Sequence, residues 1–194
     1  MAIDPSKFHL INVTDTCSVW NILSSNRLYS AAKLAGCDFC VTSFVQYECL
    51  IKRRNSPSTN EITLMDKLKA EQAKGAFKAH SSSIDDLQAI ASLEKRKRLG
   101  KGELSAIAFA MKIRQGLLTD DRKAFQLAIE MGHIHSQTTP HLFSWLIFKN
   151  ILGDGDKSTV LHEHLALGRQ LGPHLQRAYE MALFCRLNSV PKTS

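Results

Sequence analysis

Apolar and polar residues alternate along this chain in a pattern that predicts strands followed by helices. Short apolar runs rich in branched residues predict buried strands at 8–13, 39–41 and 117–119, and a further strand is expected at 133–137. Amphipathic stretches lie between these runs. Strands that alternate with helices favour an α/β fold with three layers, in which a short parallel sheet of about four to five strands lies between helices.

Most of the helices have recognisable starts or ends. The polar turn Asp15-Thr16-Cys17-Ser18 is typical of a helix start, and Pro140 stands where the first turn of a helix tolerates proline. The segment 80–84 fits either a loop or an edge strand. Further helices are expected at 27–34, 43–54, 61–76, 85–95, 102–115 and 122–131.

The sequence Gly153-Asp154-Gly155-Asp156 breaks the pattern near the C-terminus. We therefore divide the chain into a domain at 1–152 and a helical extension at 153–194, with helices at 157–171 and 173–187. The last helix carries an apolar stripe that includes Leu175, Ala178 and Leu187. Because the extension is too short for a core of its own, the stripe predicts packing on the main domain or on a partner.

Composition places the chain among globular proteins and adds a positive charge. Hydrophobic residues make up 44% and charged residues 22% of the 194 residues, which is enough for a sizeable core. The formal net charge is +7. A basic surface attracts polyanions such as nucleic acids, although moderate basicity also serves solubility alone.

Three observations concern the cellular compartment. The first residues, Met-Ala-Ile-Asp-Pro, lack the basic and apolar regions of a secretory signal. The most apolar stretch, 142–152, is too short to span a bilayer, which takes about 20 residues. Five cysteines, an odd number, fit a reducing compartment, and Cys37 and Cys40 are expected to be buried and inert. We expect a cytoplasmic protein outside the membrane.

Acidic residues stand at the positions that matter most for chemistry. Asp15 follows a predicted strand, Asp120 and Asp121 follow another, and Glu48 and Glu103 lie on predicted helices. Because ligands of an open α/β sheet bind beyond the carboxyl ends of its strands, these side chains are expected to meet in one cleft. Carboxylates at close range repel unless a cation lies among them. Oxygen ligands favour Mg²⁺ or Mn²⁺, so the pattern predicts a divalent-metal site.

Each acid also has a purely structural interpretation. Asp15 fits a helix N-cap, and Glu103 fits a first helical turn, where the helix dipole favours a carboxylate. Glu48 fits an exposed helix position, and Asp120 and Asp121 fit an Asx turn or a cap. We prefer the metal site because all of these interpretations must hold together to replace it.

Hydroxyl and basic residues flank the acids. Thr16, Ser18 and Thr119 are candidates to hydrogen-bond the carboxylates or a phosphate, or else to act only as cap and turn residues. Two basic clusters are candidate contacts to a nucleic-acid backbone, or else solvated faces. The clusters consist of Lys52, Arg53 and Arg54, and of Lys95, Arg96, Lys97, Arg98 and Lys101.

In their order and spacing, these residues resemble the PIN domain of metal-dependent nucleases. The resemblance covers residues 8–145 and rests on four pieces of sequence. They are Asp15-Thr16 after a strand, Glu48 in a later helix, Gly-Lys-Gly-Glu-Leu-Ser-Ala at 100–106, and Leu-Leu-Thr-Asp-Asp-Arg at 117–122. Residues 153–194 extend beyond the compact toxin relatives (VapC-like), and Glu103 stands where many relatives have Asp.

The resemblance implies a parallel sheet with helices on both sides and one acidic cleft. Asp15, Glu48, Glu103 and Asp121 would be the catalytic residues, and Asp15, Glu103, Asp121 and Asp120 would bind Mg²⁺ or Mn²⁺. Of the adjacent pair, Asp121 aligns better with the family pattern. These positions are carried over from the family one by one.

The activity implied by the resemblance is cleavage of RNA by an endoribonuclease. Such an enzyme would act as a toxin of a toxin–antitoxin pair or in RNA processing, with an antitoxin protein or a second copy of the chain as a further partner. Two alternatives are a non-catalytic module that binds RNA or protein, and a structure-specific DNA nuclease.

The basic run at 95–98 gives a first testable prediction. Neutralising Lys95, Arg96, Lys97 and Arg98 together is expected to weaken nucleic-acid binding across all sequences and to flatten its dependence on salt, because fewer counterions are released. Binding isotherms at several salt concentrations measure this slope. An unchanged slope would exclude these residues as phosphate contacts.

Overall fold

The computed structural model describes residues 4–52, 56–94 and 98–189. Within these ranges the chain forms five strands and ten helices. The strands are β1 (Ile11–Thr14), β2 (Asp38–Thr42), β3 (Lys78–His80), β4 (Gly116–Leu118) and β5 (Ser136–Gln137). The helices are α1 (Thr16–Leu23), α2 (Asn26–Leu34), α3 (Ser43–Leu50), α4 (Thr59–Ala73), α5 (Ile84–Glu94), α6 (Lys101–Ile113), α7 (Arg122–Glu130), α8 (Thr139–Phe148), α9 (Asp154–Ala166) and α10 (Gly172–Ser189).

All five strands are parallel and form one sheet in the order β3-β2-β1-β4-β5. The chain moves outward from β1 through β2 to β3, and it then returns past β1 to form β4 and β5. The strand order therefore reverses between β1 and β4. The carboxyl ends of these two strands border the crevice in which open α/β sheets bind ligands. The expected parallel α/β sheet is confirmed, and the arrangement fits a three-layer α/β/α fold.

The middle of the sheet is buried because helices cover it, as parallel sheets require. Val13, Val41, Leu117 and Leu118 are fully buried. Helix α6 contacts β1, β2 and β4, and its Leu104 and Ile107 side chains belong to the same core. This packing fixes the start of α6 beside the carboxyl ends of the central strands.

Several element boundaries differ from the predicted ones. Strand β1 starts at Ile11, and Phe8 lies outside it, with its ring stacked on Trp145 at a centroid distance of 5.3 Å. The strand expected at 133–137 is limited to Ser136–Gln137, because the backbone N–H of His133 closes a turn by donating to Ala128 O. The ambiguous segment 80–84 contains the end of β3 and the start of α5.

The predicted burial of the cysteine pair is confirmed. Cys37 and Cys40 are free thiols, 1% and 9% exposed. Burial raises the pKa of Cys37 to about 12 and that of Cys40 to about 11. Because the thiolate is the reactive form, these raised pKa values keep both side chains inert.

The C-terminal extension packs on the main domain through polar and apolar contacts. Helix α10 contacts α8, and α9 contacts α2. Arg27 Nε donates to Asp156 Oδ1 at 2.6 Å, and Ser25 Oγ donates to Glu163 Oε2 at 2.5 Å. Within the described ranges, no helix is both long enough and apolar enough to cross a bilayer.

Only part of the apolar stripe of α10 is buried. Leu175 and Ala178 are buried, which agrees with the predicted packing, whereas Leu187 is 77% exposed and does not belong to the buried face. The expected stripe was therefore too long at its C-terminal end.

These two leucines give a prediction with an internal control. Leu175→Ala is expected to lower the free energy of unfolding by about 2–5 kcal/mol, because it leaves a cavity against the main domain. Leu187→Ala removes the same atoms from an exposed position and is expected to change stability by less than about 0.5 kcal/mol. Urea denaturation measures both values. Equal effects of the two changes would show that α10 is not packed as described.

Candidate acidic site

Asp15 lies directly after β1 and caps α1. Its Oδ1 accepts a hydrogen bond from Ser18 N at 2.7 Å, and its Oδ2 accepts one from Thr119 Oγ1. Its own N–H donates to Leu118 O at 3.2 Å, which ties it to the end of β4. The residue is only 1% exposed. The N-cap interpretation of Asp15 is therefore correct. The residue also lies at the switch point of the sheet, where the strand order reverses between β1 and β4.

Burial also changes the acidity of Asp15. Loss of water around the carboxylate raises its pKa to about 7, and the negative charge of Asp120 adds to the rise, although the hydrogen bonds from Thr119 and Ser18 oppose it. A carboxylate in this position is ionised at neutral pH only in part. A cation placed beside it would restore full ionisation.

Asp120 is held by four donors from two parts of the chain, α1 and the start of α8. Its Oδ1 accepts from Thr139 N at 2.8 Å, and its Oδ2 accepts from Thr139 Oγ1 at 2.5 Å, Asn21 Nδ2 at 2.7 Å and Ser18 Oγ at 3.2 Å. Three of the four donors share Oδ2 and one binds Oδ1, so protein donors use most of the roughly four lone-pair sites of this carboxylate. Asp120 therefore joins α1, the end of β4 and the start of α8.

Asp121 has a simpler environment. It is the N-cap of α7, and its Oδ1 accepts from Ala124 N at 2.8 Å. This confirms the interpretation of Asp121 as a cap residue. One of its two oxygens serves the helix, and Oδ2 has no hydrogen bond among the described residues.

Glu48 and Glu103 meet at the start of α6. Glu48 Oε2 accepts from Thr16 Oγ1 at 2.7 Å, and its Oε1 accepts from Gly102 N at 3.1 Å. Glu103 Oε2 accepts from Gly100 N at 2.5 Å, as in a capping box. The interpretation of Glu48 as an exposed helix residue is wrong, because it is half-buried between α1 and α6.

The carboxylates lie close enough to influence one another. Partial burial raises the pKa of Glu103, and the negative charges of Asp121 and Glu48 raise it further, while the Gly100 hydrogen bond lowers it. Asp15 and Asp120 form the second repelling pair. Ser18 connects Asp15 with Asp120, and the neighbouring Thr16 connects this pair to Glu48.

Gly102 explains part of the Gly-Lys-Gly-Glu sequence. A Cβ atom at this position would lie 2.3 Å from Glu48 Oε2 and 2.7 Å from Glu48 Cδ. Only glycine lets the Glu48 carboxylate approach the backbone N–H so closely. The residue thus brings α3 and the start of α6 together at the acidic edge.

The predicted supporting hydroxyls are confirmed as contacts of the acids. Thr16, Ser18 and Thr119 each hydrogen-bond at least one of the carboxylates. Of the predicted basic residues, Lys52, Arg98 and Lys101 are exposed, and Lys52 and Lys101 line an open groove together with Glu48. Arg53, Arg54, Lys95, Arg96 and Lys97 lie outside the described residues.

The acids described at this edge offer carboxylate oxygens, which are the kind of ligand that Mg²⁺ and Mn²⁺ take in proteins. Across 4–52, 56–94 and 98–189 no ion pair reaches Asp15, Glu103, Asp120 or Asp121. The same ranges contain no group of three or more His, Cys, Asp or Glu side chains arranged to hold a metal ion. The hydrogen bonds described above turn the carboxylates toward protein donors. The metal ligands therefore stay a prediction.

Three contributing residues have no place in the sequence-based prediction. Thr139 and Asn21 bind Asp120, and Arg169 Nε donates to Asn21 Oδ1 at 2.7 Å. Asn21 follows Ser18 by three residues on a helix, so helical spacing could have revealed it. Arg169 comes from the loop between α9 and α10, and no sequence signal connects it to the acids.

Comparison with known proteins adds no family assignment. The chain matches no protein-family model, and a search of curated proteins finds no significant match.

The buried carboxyl of Asp15 predicts a dependence of stability on pH in metal-free buffer. Its pKa is about 7 in the folded chain, against about 3.9 in an unfolded chain. The folded state therefore binds the proton more tightly, and the free energy of unfolding falls as pH rises from about 4 to about 7. Asp15→Asn keeps a capping oxygen without the charge, so this variant is expected to be more stable than wild type by at least about 1 kcal/mol at about pH 8.

Urea denaturation in EDTA across this pH range measures the difference. Asp66→Asn is the matched control, because Asp66 is exposed on α4. If wild type and Asp15→Asn lose stability equally between the two pH limits, Asp15 is not the group responsible.

Proposed function

We propose that this chain is a divalent-metal-dependent endoribonuclease with a PIN-like fold. The observation that carries the proposal is the buried Asp15 carboxylate at the switch point of a parallel sheet. Further carboxylates come to the same edge from α3, from α6 and from the end of β4. An edge with this much negative charge and no described ion pair to Asp15 suits a bound cation.

In this proposal Asp15, Glu103 and Asp121 hold Mg²⁺ or Mn²⁺. Asp121 is preferred over Asp120, because only one of its oxygens serves a helix cap, whereas Asp120 accepts four hydrogen bonds. Asp120 then positions the start of α8 and the end of β4. A divalent ion would neutralise the phosphoryl oxygens and activate water for phosphodiester hydrolysis.

The chain's own residues prepare the geometry for this chemistry. Thr119 and Ser18 each hydrogen-bond one oxygen of Asp15, so the orientation of this carboxylate is fixed by the chain itself. Thr16 and the Gly102 N–H donate hydrogen bonds to Glu48. In this proposal the Glu48 carboxylate orients a water molecule or serves as a further metal ligand. The positive net charge attracts a phosphate backbone to this edge.

RNA is the proposed substrate because the acidic residues resemble those of the PIN domain. The same resemblance suggests a toxin whose antitoxin covers the acidic edge, or an RNA-processing enzyme that acts as a monomer or a homodimer. The five free cysteines suit the reducing cytoplasm.

A second candidate function is a PIN-like module that binds RNA or protein without cutting it. The observation in its favour is that Asp15, Glu103 and Asp121 each stabilise a helix start. These roles give the three acids a reason to be present without catalysis. A DNA nuclease is a third candidate, and the choice of substrate separates it from the first.

Cleavage assays test the proposal directly. Wild type is expected to cut single-stranded RNA in preference to DNA in Mn²⁺ or Mg²⁺ and to be inactive in EDTA. Asp15→Asn and Glu103→Gln are each expected to lower the cleavage rate by at least about 100-fold, since several kcal/mol of charge stabilisation is lost. Asp66→Asn, an equally conservative change at an exposed position, is expected to keep full activity.

The possible results separate the candidates. Equal cutting by wild type and Asp15→Asn would place the activity elsewhere and overturn the proposal. Binding of RNA without metal-dependent cleavage would favour the non-catalytic module. A preference for DNA would favour the third candidate.

A further inference from the structure

An open groove of about 500 Å³ lies beside the acidic edge. One wall comes from α3, and the other comes from the start of α6. Glu48 belongs to the lining, so the groove continues directly into the group of carboxylates. The lining residues are Ser43, Phe44, Tyr47, Glu48, Lys52, Gly100 and Lys101.

The groove combines an accessible aromatic ring with two cations. Tyr47 is 50% exposed, and Phe44 behind it is packed against the core. Lys52 follows α3, and Lys101 is the first residue of α6, and both are exposed. Aromatic side chains that carry bases, next to cations that follow a phosphate backbone, are the features by which proteins bind single-stranded nucleic acid.

Tyr47 and Glu48 are consecutive residues and line the same groove, so the aromatic ring lies close to the Glu48 carboxylate. A nucleotide placed on the Tyr47 ring would have its neighbouring phosphate within reach of the carboxylates. A duplex would not fit this use of the ring, because its bases are already stacked on one another and would have to be pulled out.

We propose that Tyr47 stacks on an unpaired base next to the phosphate that is cut, with Lys52 and Lys101 bound to the flanking phosphates. Tyr47 thereby makes the site specific for single-stranded nucleic acid. The position relative to the cut phosphate rests on the proposed function, whereas the binding of an unpaired base does not.

Binding in EDTA tests this inference without cleavage. Fluorescence anisotropy of a short labelled oligoribonucleotide is compared with that of the same strand in a perfect duplex. Wild type is expected to bind the single strand more tightly, and Tyr47→Leu is expected to weaken this binding by about ten-fold, since one stacking contact is lost. Tyr47→Phe keeps the ring and is expected to stay within about two-fold of wild type.

Two further variants complete the design. Phe184→Leu removes an aromatic ring on α10 that is more exposed than Tyr47, 64% against 50%, and is expected to leave binding unchanged. Changing Lys52 and Lys101 together to Gln is expected to reduce the slope of log affinity against log salt by about one to two.

The inference is wrong if Tyr47→Leu binds like wild type, if the duplex binds as tightly as the single strand, or if wild type binds neither RNA. These outcomes do not depend on nuclease activity. A protein that binds through Tyr47 but never cuts would keep the stacking role and lose the proposed function. A protein that cuts but binds independently of Tyr47 would do the reverse.

Discussion

A carboxyl group buried at the end of the central strand, that of Asp15, constrains the structure around it. Burying a carboxylate is costly unless hydrogen bonds replace the lost water. For Asp15 these bonds come from Ser18 on α1 and from Thr119 after β4. The Ser18 bond forms within the start of α1, whereas Thr119 reaches Asp15 only when β1 and β4 pair in the observed register, with Thr14 opposite Leu118. The sheet order, the direction of α1 and the acidic edge therefore depend on one another.

Helix starts explain how several acids can gather at one edge of the sheet. Asp15, Asp121 and Glu103 bind backbone N–H groups at the starts of α1, α7 and α6. The N-terminal end of a helix carries a partial positive charge, which stabilises a carboxylate there. Structural capping and the gathering of acids thus use the same hydrogen bonds. Three helix starts at one edge of the sheet therefore account for three of the acids that gather there.

Features that depend on neighbouring residues could be predicted from the sequence, whereas features that depend on contacts between distant segments could not. Asp15 and Thr119 follow buried apolar runs, so their place at the carboxyl edge was predictable from local pattern. Strand β3 was not, because Lys78-Ala79-His80 is an exposed edge segment without an apolar signal. The four donors around Asp120 depend on tertiary packing of α1 and α8, and sequence spacing contains little of it.

Two hydrogen bonds, from Arg169 to Asn21 and from Asn21 to Asp120, link the C-terminal extension to the acidic edge across the predicted domain boundary. The residue that starts this relay lies in the loop after α9, beyond the break at Gly153 that ends the main domain by sequence. A shortened chain that ends at that break would keep Asp15, Glu48, Glu103, Asp120 and Asp121 but would lose the Arg169 guanidinium, which lies two hydrogen bonds from Asp120. The hydrogen-bonded surroundings of Asp120 therefore extend past the boundary drawn from sequence and include a residue of the C-terminal extension.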